Sequence, residues 1–423
     1  MPRCSECGKK VSNGYCKPCN SAHWWDNLQN WTSGNANIDG LIWDSQLNAD
    51  ERWKTLEWIE YSNLKNIEYI AEGGFGIIYK AVWIDGPIKE ERIRKRRYFS
   101  WSRYKNMVSC WNTEKSEWNR HSNWTVAIKK CRKATSASLE FLDEMKNNSN
   151  LNLNDYVNRI YGVTRDPLTN EYAIVTAFQN GGSLRKVISE NHNKLSWKKI
   201  ILMLSDISRG LAEIHSRGYC HKDFHSGNIL NSIYGNIYPM IGDFGLSRPM
   251  NESVTDKVYG VIPFVAPEVL SGKKYSKAAD IYGLGMIMYE IISVEPPFVE
   301  RDYDQDLALV ICKGERPLIP EYAPEYYIDL MTKCWDPIPA NRSTADELWN
   351  QFNDWGNMNL DGLQNMGFTY ERESRWKKRL TAVKESPRPI KKSHNSFASK
   401  HLDYSDYISH NNSLYLKETN NIT

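Results

Sequence analysis

Apolar and polar positions along this chain follow two periods, which switch at glycines and prolines. Residues 66–83, NIEYIAEGGFGIIYKAVW, alternate as a strand, break at glycines and resume through Ile77, Ile78, Tyr79 and Ala81, which predicts a hairpin. TVAIKK (125–130) reads as a buried strand with Lys129 among apolar neighbours. SASLEFLDEMKNN changes to helical spacing, with Leu139, Leu142 and Met145 on one stripe and Glu140 and Glu144 sharing a face. The Asn/Ser run at 147–150 is expected to end that helix. EYAIVTAFQNGGSLRKVI (171–188) is a strand entering a Gly-Gly turn and a new helix. WKKIILMLSDISRGLAEIHSRGYC (197–220) carries Ile200, Ile201, Leu204, Ile207, Leu211 and Ile214 at helical spacing and stops at Gly218. NILNSIYGNIYPMIGDFGLSRP (228–249) predicts a second hairpin closing in Asp243-Phe244-Gly245, and KAADIYGLGMIMYEII (277–292) a very apolar helix.

Composition divides the chain into four zones. A Cys-rich start (1–22) precedes a Trp- and Asn-rich leader (23–63), in which DERWKTLEWI predicts a short amphipathic helix. The central zone, 64–356, holds nearly all the strand and helix signals, and 357–423 is expected to be a flexible, disordered tail. The net charge of +3 over 423 residues sets up no global field toward nucleic acid or a membrane. No apolar run is long enough to span a bilayer, and the first residues do not resemble a signal peptide. Nine cysteines, four of them within the first 19 residues, do not form a disulfide framework. A reducing, cytoplasmic compartment is the expectation, with a nuclear location left open.

Several side chains then stand out for chemistry. Glycines at 73, 74 and 76 let backbone N–H groups approach phosphate oxygens, although on their own such glycines more often mark just a turn. Lys129 has Glu140 or Glu144 as a candidate partner. HKDFHSGN (221–228) places Asp223 and Asn228 ahead of Asp243, an oxygen-donor set of the kind Mg²⁺ takes, together with a candidate base. Asp280 opens an apolar helix, where a carboxylate must find N–H partners. Arg342 in KCWDPIPANRS is a candidate partner for a buried upstream carboxylate.

In this order the motifs resemble those of eukaryotic protein kinases over roughly residues 64–356. The resemblance implies an α+β, bilobal fold, with a five-stranded antiparallel N-lobe and a mainly helical C-lobe. It implies ATP and Mg²⁺ (or Mn²⁺) as cofactors and protein substrates as partners. Ala71, Gly73, Gly74, Phe75, Gly76 and Ile78 match the glycine-rich loop region, with Ala71 in place of the first glycine. Ala127 and Leu230 would line the adenine, Lys129 would meet the α/β-phosphates, and Glu144 rather than Glu140 would pair with it. Thr176 falls at the gatekeeper position, and Ala177, Phe178 and Gln179 at the hinge. Asp223 matches the base beside His221, Asn228 and Asp243 the metal ligands, and Asp280 the acid that braces the loop; Glu268 should pair with Arg342. Lys222 in place of Arg keeps the charge but loses the bidentate fork. His225 and Val261 depart from the serine/threonine pattern, and with GGFG and Cys334-Trp335 they resemble the tyrosine-kinase-like family, of a type expanded in some fungi. Serine/threonine specificity is the expectation; dual or tyrosine specificity is the alternative.

Two features lie outside that frame. CSECGKKVSNGYCKPC spaces Cys4, Cys7, Cys16 and Cys19 as C-x2-C-x8-C-x2-C, the pattern of a structural Zn²⁺ ribbon or knuckle that could dock a partner. His23 is near enough to compete as a ligand. Residues 84–123 form a long insertion in which RIRKRRYFSWSRYK (92–105) mixes seven basic residues with aromatics. That mixture suits nucleic acid or an acidic partner, and a solvated loop is the plainer expectation. A kinase-like scaffold and a nucleic-acid adaptor are the competing functional classes. The complete set Lys129, Asp223, Asn228 and Asp243 disfavours the first, and the near-neutral charge the second.

Overall fold

The computed structural model describes all residues except 12–13, 74–75, 96–104, 132–138, 152–155, 191–194, 250–257, 387–398, 405–406 and 409–423. Two units emerge, Met1–Asn154 with Asn158–Phe178, and Asp155–Val157 with Gln179–Thr423. The first contains β1 (Arg3–Cys4), α1 (Lys17–Asn27), α2 (Ala36–Asn48), β2 (Glu57–Trp58), β3 (Leu64–Gly73), β4 (Gly76–Trp83), β5 (Glu91–Lys95), β6 (Lys105–Ser109), β7 (Trp111–Asn112), β8 (Glu117–Trp118), β9 (Trp124–Cys131), α3 (Leu139–Leu151), β10 (Ile160–Arg165) and β11 (Tyr172–Ala177).

The β-branched and aromatic runs noted in the sequence pair in the order β2-β10-β11-β9-β4-β3. The expected five-stranded antiparallel sheet therefore has a sixth strand, because β2 of the leader adds in parallel to β10 with Glu57 opposite Gly162. A Cβ on Gly162 would lie 1.8 Å from the Glu57 carbonyl oxygen, so only glycine allows this approach. The expected helix over DERWKTLEWI shrinks to one 3-10 turn, Arg52–Lys54, before β2. Pairing with β10 overrides local propensity there.

The leader packs as part of this unit. Asn35 caps α2 by accepting from the N–H groups of Asn37 and Ile38. One turn apart, Ile38 and Ile42 are fully buried against Phe141 and Met145 of α3. That contact, with Asn147 buried as well, accompanies α3 through the Asn/Ser run to Leu151, past its expected end.

The insertion, expected as a solvated loop, is folded in its described part. β5 pairs with β6, and β1 adds in parallel to β6 with Cys4 opposite Val108. The basic stretch 96–104 lies outside the described residues.

The second unit contains β12 (Gly182–Ser183), α4 (Leu184–Glu190), α5 (Trp197–Ser216), β13 (Tyr219–Cys220), β14 (Ile229–Tyr234), β15 (Asn236–Ile241), β16 (Arg248–Pro249), β17 (Val258–Gly260), α6 (Pro267–Leu270), α7 (Lys277–Ser293), α8 (Gln305–Cys312), α9 (Glu325–Cys334), α10 (Ala345–Asn357), α11 (Leu360–Asn365), α12 (Tyr370–Glu385) and β18 (Lys400–Leu402). Helix α7 is buried from Ala279 to Ser293, as its unbroken apolar sequence requires. The tail expected to be flexible from 357 is instead helical over α11 and α12. Trp376 is fully buried, stacked on Trp197 at 4.9 Å between ring centroids, and its Nε1–H donates to the Ile291 carbonyl at 3.1 Å. Among the described residues no helix is long and apolar enough to cross a membrane.

Truncating a fully buried Trp costs about 3–5 kcal/mol. Trp376→Ala should therefore lower the denaturant midpoint of the full chain by a corresponding amount; a loosely attached tail would leave the midpoint unchanged.

Candidate active site

In the first unit, Lys129 on β9 faces Glu144 on α3. Lys129 Nζ donates to Glu144 Oε1 at 2.8 Å, and both residues are buried. Glu144 makes this contact; the Glu140 side chain lies outside the described residues. Ala71 pairs with Ile78 and Gly73 with Gly76, while Gly74 and Phe75 are outside the described residues. Ile78 lies opposite Lys129 and Thr176 opposite Ala127, so register alone gathers these residues on neighbouring strands. Ala177 donates its N–H to the Arg159 carbonyl at 2.8 Å, and its own carbonyl accepts from Asn158 Nδ2 at 3.3 Å. Phe178 lies within 5.7 Å of the Lys80 ammonium, measured to the ring centroid.

In the second unit the loop 221–228 runs from β13 to β14. Asp280, fully buried in the first turn of α7, accepts from the His221 N–H (2.8 Å), the Lys222 N–H (3.0 Å) and His215 Nε2 (2.9 Å). Those donors offset its desolvation, and the helix N-terminus adds a favourable dipole. Lys222 is thereby held at φ 68°, a left-handed conformation unusual for a side-chain-bearing residue. The His221 ring donates from Nε2 to the Gly242 carbonyl at 3.0 Å and accepts the Asp223 N–H on Nδ1 at 3.3 Å. Burial holds its pKa below the usual value, consistent with a neutral ring.

Asp223 sits at the centre of this loop, 4% exposed. Its Oδ2 accepts from Asn228 Nδ2 at 3.0 Å and from the Ser399 hydroxyl at 2.6 Å, and His225 Nε2 lies 3.5 Å away. Its Oδ1 is buried without a hydrogen-bond partner among the described residues. Burial alone would raise the Asp223 pKa, but His225 and the Ser399 hydroxyl outweigh it and hold the carboxyl below its ordinary value. Asn228 Nδ2 also bonds the Asp223 carbonyl at 2.9 Å, which leaves the amide oxygen as its remaining acceptor. Leu230 lies on β14 opposite Met240 of β15, and Ile229 opposite Ile241. The hairpin thus delivers Asn228 and Asp243 from the same end, tied by the Gly242 N–H to the Asn228 carbonyl at 2.8 Å. Asp243 itself takes φ 63°. Gln179 Nε2 reaches Met240 Sδ at 3.1 Å.

Glu268 and Arg342 form the expected pair, bidentate at 2.7 and 2.8 Å, and Arg342 Nη1 also donates to the Ala278 carbonyl. Sequence reasoning missed three participants. His215 occupies the position four after Leu211 on the apolar stripe of α5, a signal that was available in the spacing. Gly260, at φ 143°, passes close to Asp223: a Cβ there would lie 3.6 Å from Oδ1. Ser399 carried no signal at all.

The four cysteines of the start converge. Their sulfurs all lie within 4.8 Å of one another, with Cys4–Cys19 at 3.8 Å and Cys7–Cys16 at 3.7 Å. Gly8, at φ 72°, turns the first knuckle, and Cys16 opens α1 from the second. A hydrogen bond from the Lys9 backbone draws the Cys7 thiol down to about 7. His23 is not part of the cluster; it stacks on Trp111 at 4.1 Å and bonds Glu6 at 2.6 Å.

The profile of the family described as protein tyrosine and serine/threonine kinase matches residues 112–352, and the chain belongs to that family. A Dictyostelium discoideum protein described as a probable serine/threonine-protein kinase (gdt2) is 27% identical over 71% of this chain and 17% of its own length. A protein of Acanthamoeba polyphaga mimivirus described as a serine/threonine-protein kinase/receptor is 31% identical over 53% of this chain and 14% of its own. A second Dictyostelium discoideum protein, described as the probable serine/threonine-protein kinase roco8, is 32% identical over 43% of this chain and 10% of its own. The chain therefore spans less than a fifth of the length of these relatives.

Removing one partner of a buried ion pair costs about 3–5 kcal/mol. Glu268→Ala should lose about that much unfolding free energy in a urea titration. A loss within error of zero would mean that Arg342 does not depend on the carboxylate.

Proposed function

We propose that this chain is an ATP- and Mg²⁺-dependent protein kinase that transfers the γ-phosphate to serine or threonine hydroxyls of proteins. One observation carries the reading: the Asp223 carboxylate receives the hydrogen bond of an aliphatic alcohol at 2.6 Å, the posture a general base needs before proton removal. The oxygens of Asn228 and Asp243, delivered by one hairpin, are hard donors suited to Mg²⁺. When bound, the metal neutralises charge on the triphosphate and orients it for transfer.

The residues of the chain do the rest. Lys129, set in place by Glu144, presents its ammonium to the α/β-phosphates. Thr176, with the backbone of Ala177, Phe178 and Gln179, offers polar groups to adenine, and Ala127, Ile78 and Leu230 offer apolar walls. Asp223 takes the alcohol proton, and Asn228 fixes its carboxylate. Relatives described as serine/threonine kinases support the acceptor class. The tyrosine-kinase-like subtype is supported by His225, Val261, GGFG and Cys334-Trp335 together with a family profile that covers both acceptor classes.

For the Cys4 cluster the reading is a structural Zn²⁺ site. A tetrahedron of sulfurs about 2.3 Å from zinc has edges of about 3.8 Å; two of the six separations have that length and all lie within 4.8 Å. With Cys4, Cys16 and Val11 packed on Val108, zinc would fasten the chain start to the insertion, leaving the exposed side of Cys7 to any docking partner. The cysteine spacing, four clustered as metal ligands and the others scattered rather than framed for disulfides, supports a reducing compartment such as the cytoplasm.

Asp223→Asn should cut transfer of labelled phosphate from Mg-ATP to a serine peptide by about 10²–10⁴-fold; equal labelling by the variant would reject the assignment. Metal analysis of the purified chain should find one Zn²⁺, lost from the Cys4→Ser/Cys7→Ser double variant. An apo protein that retains its fold would reject the zinc reading.

A further inference from the structure

Past residue 398 the chain returns to the loop that holds Asp223. Ser399 is buried, and its hydroxyl donates to Asp223 Oδ2 at 2.6 Å while lying 3.2 Å from His225 Nε2. His225 Nδ1 accepts the Gly227 N–H at 3.0 Å, so Nε2 carries the ring proton and donates to Ser399 Oγ. One lone pair of that oxygen is thus occupied, its proton points at a carboxylate, and the second lone pair is left for an electrophile.

The residues after Ser399 are held as a bound peptide is held. β18 pairs antiparallel with β17, with Lys400 opposite Gly260, His401 opposite Tyr259 and Leu402 opposite Val258, a two-stranded ladder of the kind an extended peptide forms with its binder. Leu402 and Ile408 are buried, Lys400 Nζ donates to the Tyr303 carbonyl at 2.9 Å, and Tyr407 donates to Asp306 at 2.7 Å.

We propose that Ser399–Leu402 is a tethered substrate, with Ser399 phosphorylated within its own chain and the segment barring other substrates until that happens. The inference rests on the kinase reading above and goes further in naming the acceptor. Ser399 Oγ forms a bond to the γ-phosphorus of ATP as the bond from that phosphorus to the ADP oxygen breaks. The hydroxyl proton passes to Asp223, and ADP departs. The product places nearly two negative charges against the Asp223 carboxylate, which expels the segment and frees the β17 edge.

The test uses the full chain, first stripped of phosphate, then given Mg-ATP over a hundredfold range of dilution, with sites mapped by mass spectrometry. Ser399 should be modified with a rate constant that does not change on dilution; a rate proportional to concentration would overturn the intramolecular step. Leu402→Asp, which should weaken β18 without touching the reacting groups, should abolish Ser399 labelling. It should also lower the KM for an added serine peptide by about tenfold, because a competitor occupying the site reduces apparent affinity in proportion. An unchanged KM would overturn occlusion. Independently of turnover, hydrogen exchange without nucleotide should be faster at Val258–Gly260 in Leu402→Asp and in Ser399→Glu; unchanged protection would overturn the strand pairing. Added peptide phosphorylated while Ser399 stays bare would reject this inference and leave the kinase reading intact. No transfer to any acceptor, even in Leu402→Asp, would reject the kinase reading itself.

Discussion

A single buried carboxylate organises the second unit. Asp280 is fully desolvated in the first turn of α7, a position tolerable only because two loop N–H groups and the His215 ring bond it. The same bonds hold Lys222 in its left-handed conformation, and that turn sets where Asp223 and Asn228 emerge. His221 ties the loop to Gly242, immediately before Asp243. The residues proposed as base and metal ligands thus share one brace, Asp280.

The first unit solves a parallel problem with packing. Lys129 depends on Glu144, and Glu144 on the position of α3, whose Phe141 and Met145 lie against Ile38 and Ile42 of the leader helix. Because the interface is made of close-packed apolar side chains, small shifts of the leader are felt at α3. The leader also adds β2 to the sheet that carries Lys129, while the Cys4 start pairs with β6 of the insertion in a separate sheet.

Much of this was legible in the sequence, for identifiable reasons. Strand and helix periods pointed to the sheet around Lys129 and the apolar α7, while the Glu268–Arg342 and Lys129–Glu144 pairs came from the kinase resemblance, residue chemistry alone leaving Glu140 or Glu144 for Lys129 and no named partner for Arg342. What failed was whatever depended on distant partners. The stretch DERWKTLEWI has helical spacing but joins a sheet, because β10 offers an edge. Residues 370–385 read as polar tail because only Trp376 and Leu380 are buried there, a single i,i+4 pair too short to mark a helical stripe among polar neighbours. Ser399 sits in an unremarkable serine- and asparagine-rich run, and its place beside Asp223 is a tertiary fact without a local signature.

Phosphorylation and occlusion by the same segment would make activity depend on its own history, with the brace unchanged throughout. The most direct measurement is therefore on the brace: steady-state kinetics of Asp280→Asn with Mg-ATP and a serine peptide, alongside nucleotide binding. A misplacement of about 1 Å at a reacting group costs roughly a hundredfold in rate. That loss is expected in kcat, while nucleotide binding reports separately on the proposed metal ligands Asn228 and Asp243, which share the brace. A variant with wild-type kcat would contradict the dependence of the loop on Asp280.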